Sequence, residues 1–195
     1  MGNDITPPRA WTARLNESPA SGSSAELHPI ERRAVDSAVP FAAEHARRYI
    51  ATAGQDDAWD GPRPILLLYT VGRRSGEIRR NPLLFFDHDG GRHVVGSKGG
   101  DVRDPLWFAN LVAQPAVHVR VDGEFYPATA EVLAAPERAL VWPALTERYP
   151  VFAGCQERTE REIPLVRLRR VDDPADPADA ADPAAERDGY PASPA

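Results

Sequence analysis

The sequence has 195 residues, of which 42% are hydrophobic, a length and composition that favour one domain with a sizeable core. Its single cysteine, Cys155, excludes an internal disulfide framework and is typical of a reducing compartment. The formal net charge of -6 arises within residues 172–195, which carry seven acidic side chains and one basic one, so the rest of the chain is neutral.

Both ends of the sequence have compositions that are typical of disorder. Residues 1–26 are rich in Pro, Ser, Gly and Ala, and residues 172–195 repeat an Asp-Pro-Ala pattern that cannot bury apolar surface. We therefore predict one folded domain at residues 27–171 between two disordered tails. Since no apolar run is long enough to cross a bilayer, we expect a cytoplasmic protein with at most peripheral contact with the inner face of the membrane.

The first half of the predicted domain contains one helix and two strands. A proline opens an amphipathic pattern at residues 40–54, which predicts a helix. The apolar run at residues 64–70 indicates a buried strand, and a second strand is predicted at residues 79–86. This second strand contains Asn81-Pro82, and because proline cannot donate to a ladder, an edge or a bulge is expected there.

The second half of the domain is predicted to contain more strands, joined mainly by tight turns. The predicted elements are a hairpin turn at 87–91, strands at 92–97, 117–121, 124–133 and 163–170, a helix opened by Asp104-Pro105 as N-cap and first turn, and a helix at 136–148. Six strands with few helices predict a mainly β protein with helices, folded as a small antiparallel barrel rather than a doubly wound sheet.

Two cationic runs stand out in this otherwise neutral domain. Lys98 is the one lysine among 23 basic residues, and it lies between Gly96-Ser97 and Gly99-Gly100. Its retention indicates a need for a compact, mobile charge, and the glycines allow close approach of backbone to a ligand. With a second basic run at residues 72–80, the pattern predicts a clamp for a polyanion. A lysine in a polar turn is the alternative, and nucleic-acid binding is disfavoured by the neutral body.

Several motifs occur in an order and spacing that resemble the deazaflavin-dependent nitroreductase family, over residues 38–171. They are LLLYTVGRRSG at 66–76, Asn81-Pro82-Leu83, Ser97-Lys98-Gly99-Gly100, PLWFANL at 105–111, and Arg161-Glu162-Ile163-Pro164. The resemblance implies a six-stranded split β-barrel similar to the FMN-binding barrels. It also implies coenzyme F420, a deazaflavin with a phosphodiester and a chain of glutamates, which gives a hydride to quinones, nitro compounds and similar electrophiles.

The resemblance implies a set of cofactor-binding residues that includes the two cationic runs. The matching positions for the phosphate and acidic tail are Arg73, Arg74, Arg79 and Lys98, with Ser75 and Arg80 as neighbours; those along the ring are Asn81, Pro82, Gly96 and Ser97; and those of an aromatic wall are Trp107 and Phe108. Arginine grips phosphate or carboxylate with two parallel hydrogen bonds, and lysine supplies a movable charge. For Trp107, simple packing in the core is the alternative.

The segment that follows the predicted helix at residues 136–148 differs from the family pattern. Family members often present three tyrosines there, and the corresponding residues are Tyr149, Phe152 and Cys155. The resemblance implies that these residues line the substrate pocket and that Tyr149 is a catalytic proton donor, with a packed aromatic as the alternative. The two departures leave the proton donor and the acceptor open. No metal site is predicted, because the histidines are scattered and lack ligand spacing.

The resemblance therefore implies an F420-dependent oxidoreductase that reduces a quinone, a nitro compound or a similar small electrophile. The alternatives are a non-catalytic deazaflavin carrier and an FMN-dependent oxidoreductase on the same barrel. The expected partner is a small-molecule electron acceptor and not a nucleic acid. The sequence leaves the oligomeric state and the physiological acceptor open.

Overall fold

The computed structural model describes residues 27–54 and 64–171, and both predicted tails lie outside these described residues. In chain order the elements are α1 (Pro29–Arg33), β1 (Val35–Asp36), α2 (Pro40–Ala51), β2 (Ile65–Val71), β3 (Ile78–His88), β4 (Gly91–Val95), a 3₁₀ turn (Lys98–Gly100), α3 (Leu106–Ala113), β5 (Ala116–Val121), β6 (Glu124–Val132), α4 (Ala135–Arg148), α5 (Val151–Glu157) and β7 (Leu165–Arg170).

Six antiparallel strands close into a barrel in the order β3-β2-β5-β6-β7-β4, because β4 pairs back onto β3. The short β1 lies outside this ring and pairs in parallel with β3 through Val35 and Arg79. The predicted six-stranded antiparallel barrel is therefore confirmed. The sequence did not predict α1, β1 or α5, because helices of two turns or fewer and a two-residue strand carry little periodicity.

Alternation along the strands divides the apolar side chains between the barrel interior and two outer faces. Leu66 and Leu68 point into the interior, where they meet Val119 and the α3 residues Trp107 and Leu111. We call this set the interior cluster. A second cluster lies between the barrel and α2, and a third, the α5 cluster, lies beneath α4 and α5. The helices therefore cover the apolar outer faces of a closed sheet.

The start of α3 differs from the sequence prediction. Asp104 was expected to cap this helix with Pro105 in its first turn, but Pro105 occupies the N-cap position and no side chain caps the helix. The Asp104 carboxylate instead accepts a hydrogen bond from Nη1 of Arg161 at 2.8 Å. This ion pair draws the aspartate away from the helix amides that it would otherwise satisfy.

An open interval in the barrel wall lies along one edge of β3. On that edge β3 pairs with β1 at Arg79 and Arg80 and with β4 from Phe85 to His88, and the described strands give residues 81–84 no partner there. Pro82 lies in this interval, where its missing N–H breaks no ladder bond, as expected for an edge position. The ladder between β3 and β4 ends at the pair of Phe85 and Val94, so the chain that follows β4 leaves from one limit of this interval.

Candidate functional site

The turn between β2 and β3, residues 72–76, is a cationic turn that presents Arg73, Arg74 and Ser75 to solvent. Asn110 of α3 anchors this turn. Its Oδ1 accepts hydrogen bonds from the Arg73 amide at 3.2 Å and from the Arg73 guanidinium at 3.4 Å. Its Nδ2 donates to Oγ1 of Thr70 at 3.4 Å. Since Asn110 is buried, the turn is tied to the interior of the domain.

The alternation of β3 separates the next predicted site residues onto two faces. Arg79 pairs across the sheet with Thr70, so Arg79 and Asn81 share the face to which Asn110 and Arg73 are connected. Arg80 lies on the opposite face, where it is buried and forms an ion pair with Asp36 of β1. Pro82 shares that face. The structure therefore brings Arg79 and Asn81 towards the cationic turn and directs Arg80 and Pro82 away from it.

Residues 96–101 form a glycine loop that follows β4, the strand whose ladder with β3 ends at one limit of the open interval. Lys98, Gly99 and Gly100 have φ values of 46°, 66° and 86°, a left-handed conformation that is uncommon for lysine. Lys98 Nζ lies 3.3 Å from the Asp101 carboxylate. The Arg103 amide and the Lys98 ammonium hold the pKa of the Asp101 carboxyl below its usual range. The loop thus contains a cation that is paired with a carboxylate of the same loop.

Gly96 has no room for a side chain where the glycine loop begins. Its amide donates to the Pro164 carbonyl at 2.9 Å, and an added Cβ would lie 2.6 Å from the Pro164 ring. The loop therefore starts in close contact with the segment that precedes β7. Ser97 follows directly and has a right-handed conformation, with φ -70° and ψ -41°.

The two predicted aromatic wall residues have different surroundings. Trp107 is buried in the interior cluster, so its ring has the core packing that was the alternative interpretation. Phe108 is half-buried and packs edge-to-face against Trp107, with ring centroids 6.2 Å apart. Of the two rings, Phe108 is the one with surface left for a ligand.

The structure places the predicted substrate-pocket residues in and around the α5 cluster. Phe152 is 8% exposed and Cys155 is 3% exposed, and both pack against Val95 and Leu165 on the outer face of the barrel. Neither side chain is brought to the cationic turn. Tyr149 is half-buried and makes an edge-to-face contact with Phe152 at 6.5 Å. Among these three residues, Tyr149 alone keeps a partly exposed side chain.

Sequence reasoning missed two residues that support this site. Asn110 lies in the PLWFANL motif, but its role depends on reaching the β2–β3 turn 37 residues away in sequence. Arg161 lies in the Arg-Glu-Ile-Pro motif and was given no role, because its acceptors are mostly backbone carbonyls that no sequence pattern reveals. Among the described residues, no group of three or more His, Cys, Asp or Glu is arranged to hold a metal ion.

Comparison with known proteins identifies the family of the chain. The sequence model described as F420H(2)-dependent quinone reductase matches residues 42–170. The F420H(2)-dependent quinone reductase Rv1261c of Mycobacterium tuberculosis is 34% identical over 113 residues, which cover 56% of this chain and 76% of that protein. Rv3178 of the same organism is 37% identical over 108 residues, which cover 55% and 91% of the two chains.

A solved structure of an F420-H2-dependent reductase, FDR-A, is also similar. It is 38% identical, has a TM-score of 0.50, and the match covers 55% of this chain and 95% of that one. The family resemblance inferred from the motifs is thereby confirmed for fold and cofactor. Because the family match spans more than half of the sequence, the chain belongs to the F420H(2)-dependent quinone reductase family, an oxidoreductase family that uses coenzyme F420.

Proposed function

We propose that this chain binds reduced coenzyme F420 between the cationic turn and the glycine loop and transfers its hydride to a quinone. The observation that carries the proposal is that the unpaired stretch of β3, residues 81–84, has a cationic segment at each of its limits. Arg73 and Arg79, near the start of β3, are linked through Asn110 and Thr70, and Lys98 lies on the loop that follows β4, the strand paired with β3 from Phe85 onwards.

The residues at this end of the barrel fit the chemistry of the coenzyme. Its phosphodiester and glutamates are anions, and exposed guanidinium and ammonium groups are their natural partners. An added Cβ at Gly99 or Gly76 would meet no heavy atom within 4 Å, so backbone is open to a ligand in both segments. Phe108 lies on α3, the helix that holds the cationic turn through Asn110, and its half-buried ring offers apolar surface of the kind that suits a flat ring.

The protein's part in the reaction is binding and orientation. When bound, the coenzyme supplies a hydride from its central ring, and no protein nucleophile is required. Arg73, Arg79 and Lys98 would hold the anionic groups and so fix the ring relative to the barrel. Phe108 would present an apolar edge that excludes water from the reacting face, which strengthens the electrostatic contacts inside.

Finer features of the function belong to the same proposal. Nitro compounds are further candidate acceptors, on the strength of the motif resemblance, and the buried Phe152 and Cys155 are not included in the acceptor surface. The proposed set of cofactor-binding residues also keeps Arg74, Ser75, Gly96 and Ser97. Arg80 is left out of this set, because its guanidinium forms an ion pair with Asp36 on the opposite face of β3.

We also propose a cytoplasmic location for the protein. Within 27–54 and 64–171, no helix is long and apolar enough to cross a membrane.

An anaerobic turnover assay tests the proposed function. Reduced F420 is mixed with a short-chain quinone, and oxidation of the coenzyme is followed by absorbance with and without the protein. We expect oxidation that depends on the protein and saturates with quinone. Tight binding of F420 without turnover on any quinone or nitro compound would instead favour the non-catalytic carrier. Turnover with reduced FMN alone would favour the FMN enzyme.

The variant Tyr149→Phe tests the candidate proton donor. Positioned acid catalysis typically contributes about 10²–10⁴-fold, but a reduced quinone can also take its proton from water. We therefore expect kcat with a quinone to fall measurably but by less than about tenfold, with an unchanged dissociation constant for F420. An unchanged kcat would show that the tyrosine only packs, as its contacts with Phe86 and Phe152 allow.

A further inference from the structure

Arg161, in the segment between α5 and β7, makes four hydrogen bonds to the glycine loop and the chain that follows it. Its Nε donates to the Asp101 carbonyl at 2.8 Å, and its Nη2 donates to the Gly96 and Ser97 carbonyls at 3.0 Å each. Its Nη1 donates to the Asp104 carboxylate at 2.8 Å. The side chain is 15% exposed, so these bonds form in a largely dehydrated position. One guanidinium therefore fixes both ends of the loop.

A second arginine and the end of α5 support the middle of the loop. Arg158 donates from Nε to the Gly99 carbonyl at 3.0 Å. An added Cβ at Gly100 would lie 2.7 Å from the Cys155 carbonyl, so the loop backbone is in direct contact with α5. Behind the loop, α5 thus acts as a support, which explains why Cys155 is buried without contacting the cationic turn.

This support fixes the conformation of Ser97 and Lys98. Ser97 is right-handed and Lys98 is left-handed, and successive residues of this kind direct their amides into a concavity that attracts anions. A left-handed lysine is unfavourable in an isolated chain and persists only where the surroundings impose it. The Gly96, Ser97 and Asp101 carbonyls are turned towards Arg161. The Gly96, Gly100 and Asp101 amides donate to the Pro164, Ser97 and Lys98 carbonyls, so the amides available to an anion are those at the Ser97–Lys98 step.

We infer that Arg161 is a positioning residue for the cofactor. It does not contact the cofactor; it holds the glycine loop in the conformation in which Lys98 and the loop amides meet the cofactor's anionic groups. A planar guanidinium with several donors can bridge separated carbonyls, and an ammonium cannot. The inference rests on the proposed function, because the glycine loop is part of the proposed F420 site.

The test compares Arg161→Gln and Arg161→Lys with the matched control Arg138→Gln. Arg138 also hydrogen-bonds the segment before β7, donating to the Ile163 carbonyl at 3.1 Å and to Gln156 Oε1 at 3.2 Å, and its side chain is 12% exposed. None of its described contacts reaches the glycine loop. The measurements are the F420 dissociation constant, the melting temperature, and amide hydrogen exchange in the cofactor-free protein.

We expect Arg161→Gln to raise the F420 dissociation constant by about tenfold, the lower end of the range for residues that orient a ligand-contacting group. Arg161→Lys keeps the positive charge, but we expect this variant to raise the F420 dissociation constant almost as much. Arg138→Gln should lower the melting temperature similarly and leave F420 affinity within about twofold, because sites without shared partners perturb each other little. Faster exchange should be confined to residues 96–104 of the Arg161 variants.

Three results would overturn the inference. Equal losses of F420 affinity in Arg161→Gln and Arg138→Gln would reduce the effect to general stability. Full affinity in Arg161→Lys would show that only its charge matters. Unchanged exchange of residues 96–104 in Arg161→Gln would show that the loop does not need the arginine. The exchange measurement requires no cofactor, so a wild type that fails to bind F420 would contradict the proposed function separately.

Discussion

Replacement of Glu31 by glutamine is expected to lower the free energy of unfolding by about 3–5 kcal/mol, the usual result of removing one partner of a buried ion pair. Glu31 is 1% exposed and Arg120 is 4% exposed. Two bonds join them, Nε to Oε1 at 2.5 Å and Nη2 to Oε2 at 2.6 Å. The variant would leave the Arg120 guanidinium buried opposite a neutral amide.

The surroundings of Glu31 explain why the pair is fully hydrogen-bonded despite its burial. Tyr69 donates its hydroxyl proton to Oε1 at 2.8 Å, and the His28 amide donates to Oε2 at 3.0 Å. Burial by itself would raise the pKa of Glu31, but the hydrogen bonds from Arg120, His28 and Tyr69 outweigh it and lower the pKa below its ordinary value. Through this carboxylate, α1 is attached to the wall of the barrel.

The lowered pKa gives the Glu31 prediction a pH dependence with a definite sign. The folded state favours the ionised carboxylate, so its stabilisation is complete above the pKa of the unfolded chain. It is lost as the pH falls through the lower pKa of the folded state. In urea denaturation, the difference between wild type and Glu31→Gln should therefore shrink in acid. The variant lacks the carboxyl group whose protonation causes this loss.

Two further variants give this measurement its controls. Glu77→Gln removes an exposed carboxylate paired with Arg79 and should cost no more than about 1 kcal/mol. Glu31→Met combined with Arg120→Met removes both buried charges and should recover much of the lost stability. A loss below about 1 kcal/mol in Glu31→Gln would contradict the account, since the pair would then behave like an exposed one.

Removal of both Arg73 and Lys98 should weaken F420 binding by about 100-fold, or about 2.8 kcal/mol. Each alanine substitution alone should cost about tenfold. Arg73 lies on the turn anchored by Asn110, and Lys98 lies on the loop held by Arg161, so in the proposed site the two cations would reach the ligand from separate segments. Independent segments should give nearly additive losses.

Two controls distinguish specific contacts with F420 from a general effect of positive charge: the ionic strength, and removal of an arginine outside the proposed site. Binding by wild type should weaken as ionic strength rises, because exposed charges are screened, and the double variant should respond less. Arg47→Ala removes an exposed cation on α2 that pairs with Glu44 and should leave F420 affinity unchanged. An equal loss in Arg47→Ala, or none in the double variant, would show that the two segments do not hold the coenzyme.

The parts of the fold that were predictable are those with strong local patterns. Val117, Val119 and Val121 alternate with polar residues and form β5 with its apolar side inward. Asp122 and Gly123 have φ values of 49° and 81°, as a tight hairpin turn requires. Such patterns specify strands and turns within a few residues. Six strands that are joined mainly by tight turns can form only a few antiparallel topologies, of which a small barrel is one.

The parts that were not predictable depend on contacts between distant segments. Glu31 lies in a five-residue helix, and its partner is 89 residues away in sequence. Arg161 recognises backbone carbonyls, so no complementary residue type marks its role. Phe152 and Cys155 were placed in a substrate pocket by family position alone. Their burial follows from α5, which is too short and too interrupted by Gly154 to be predicted.

The separation of Arg79 from Arg80 has a different origin, because the sequence contained the necessary signal. Neighbouring residues of a strand point to opposite faces, so two consecutive arginines cannot both face one ligand. Arg79 shares the face of Thr70, whereas Arg80 meets Asp36 of β1. The sequence interpretation grouped the two by charge. The pairing of Arg80 with Asp36 could not be predicted, because Asp36 lies in a two-residue strand that has no sequence pattern of its own.

Binding of coenzyme F420 in preference to FMN is the central claim, and calorimetric titration of the wild-type protein with each tests it most directly. At equal and low ionic strength we expect F420 to bind at least about tenfold more tightly, 1.4 kcal/mol or more. The reason is that its glutamate chain adds carboxylates that Arg73, Arg79 and Lys98 can hold. Equal or tighter binding of FMN would contradict the account.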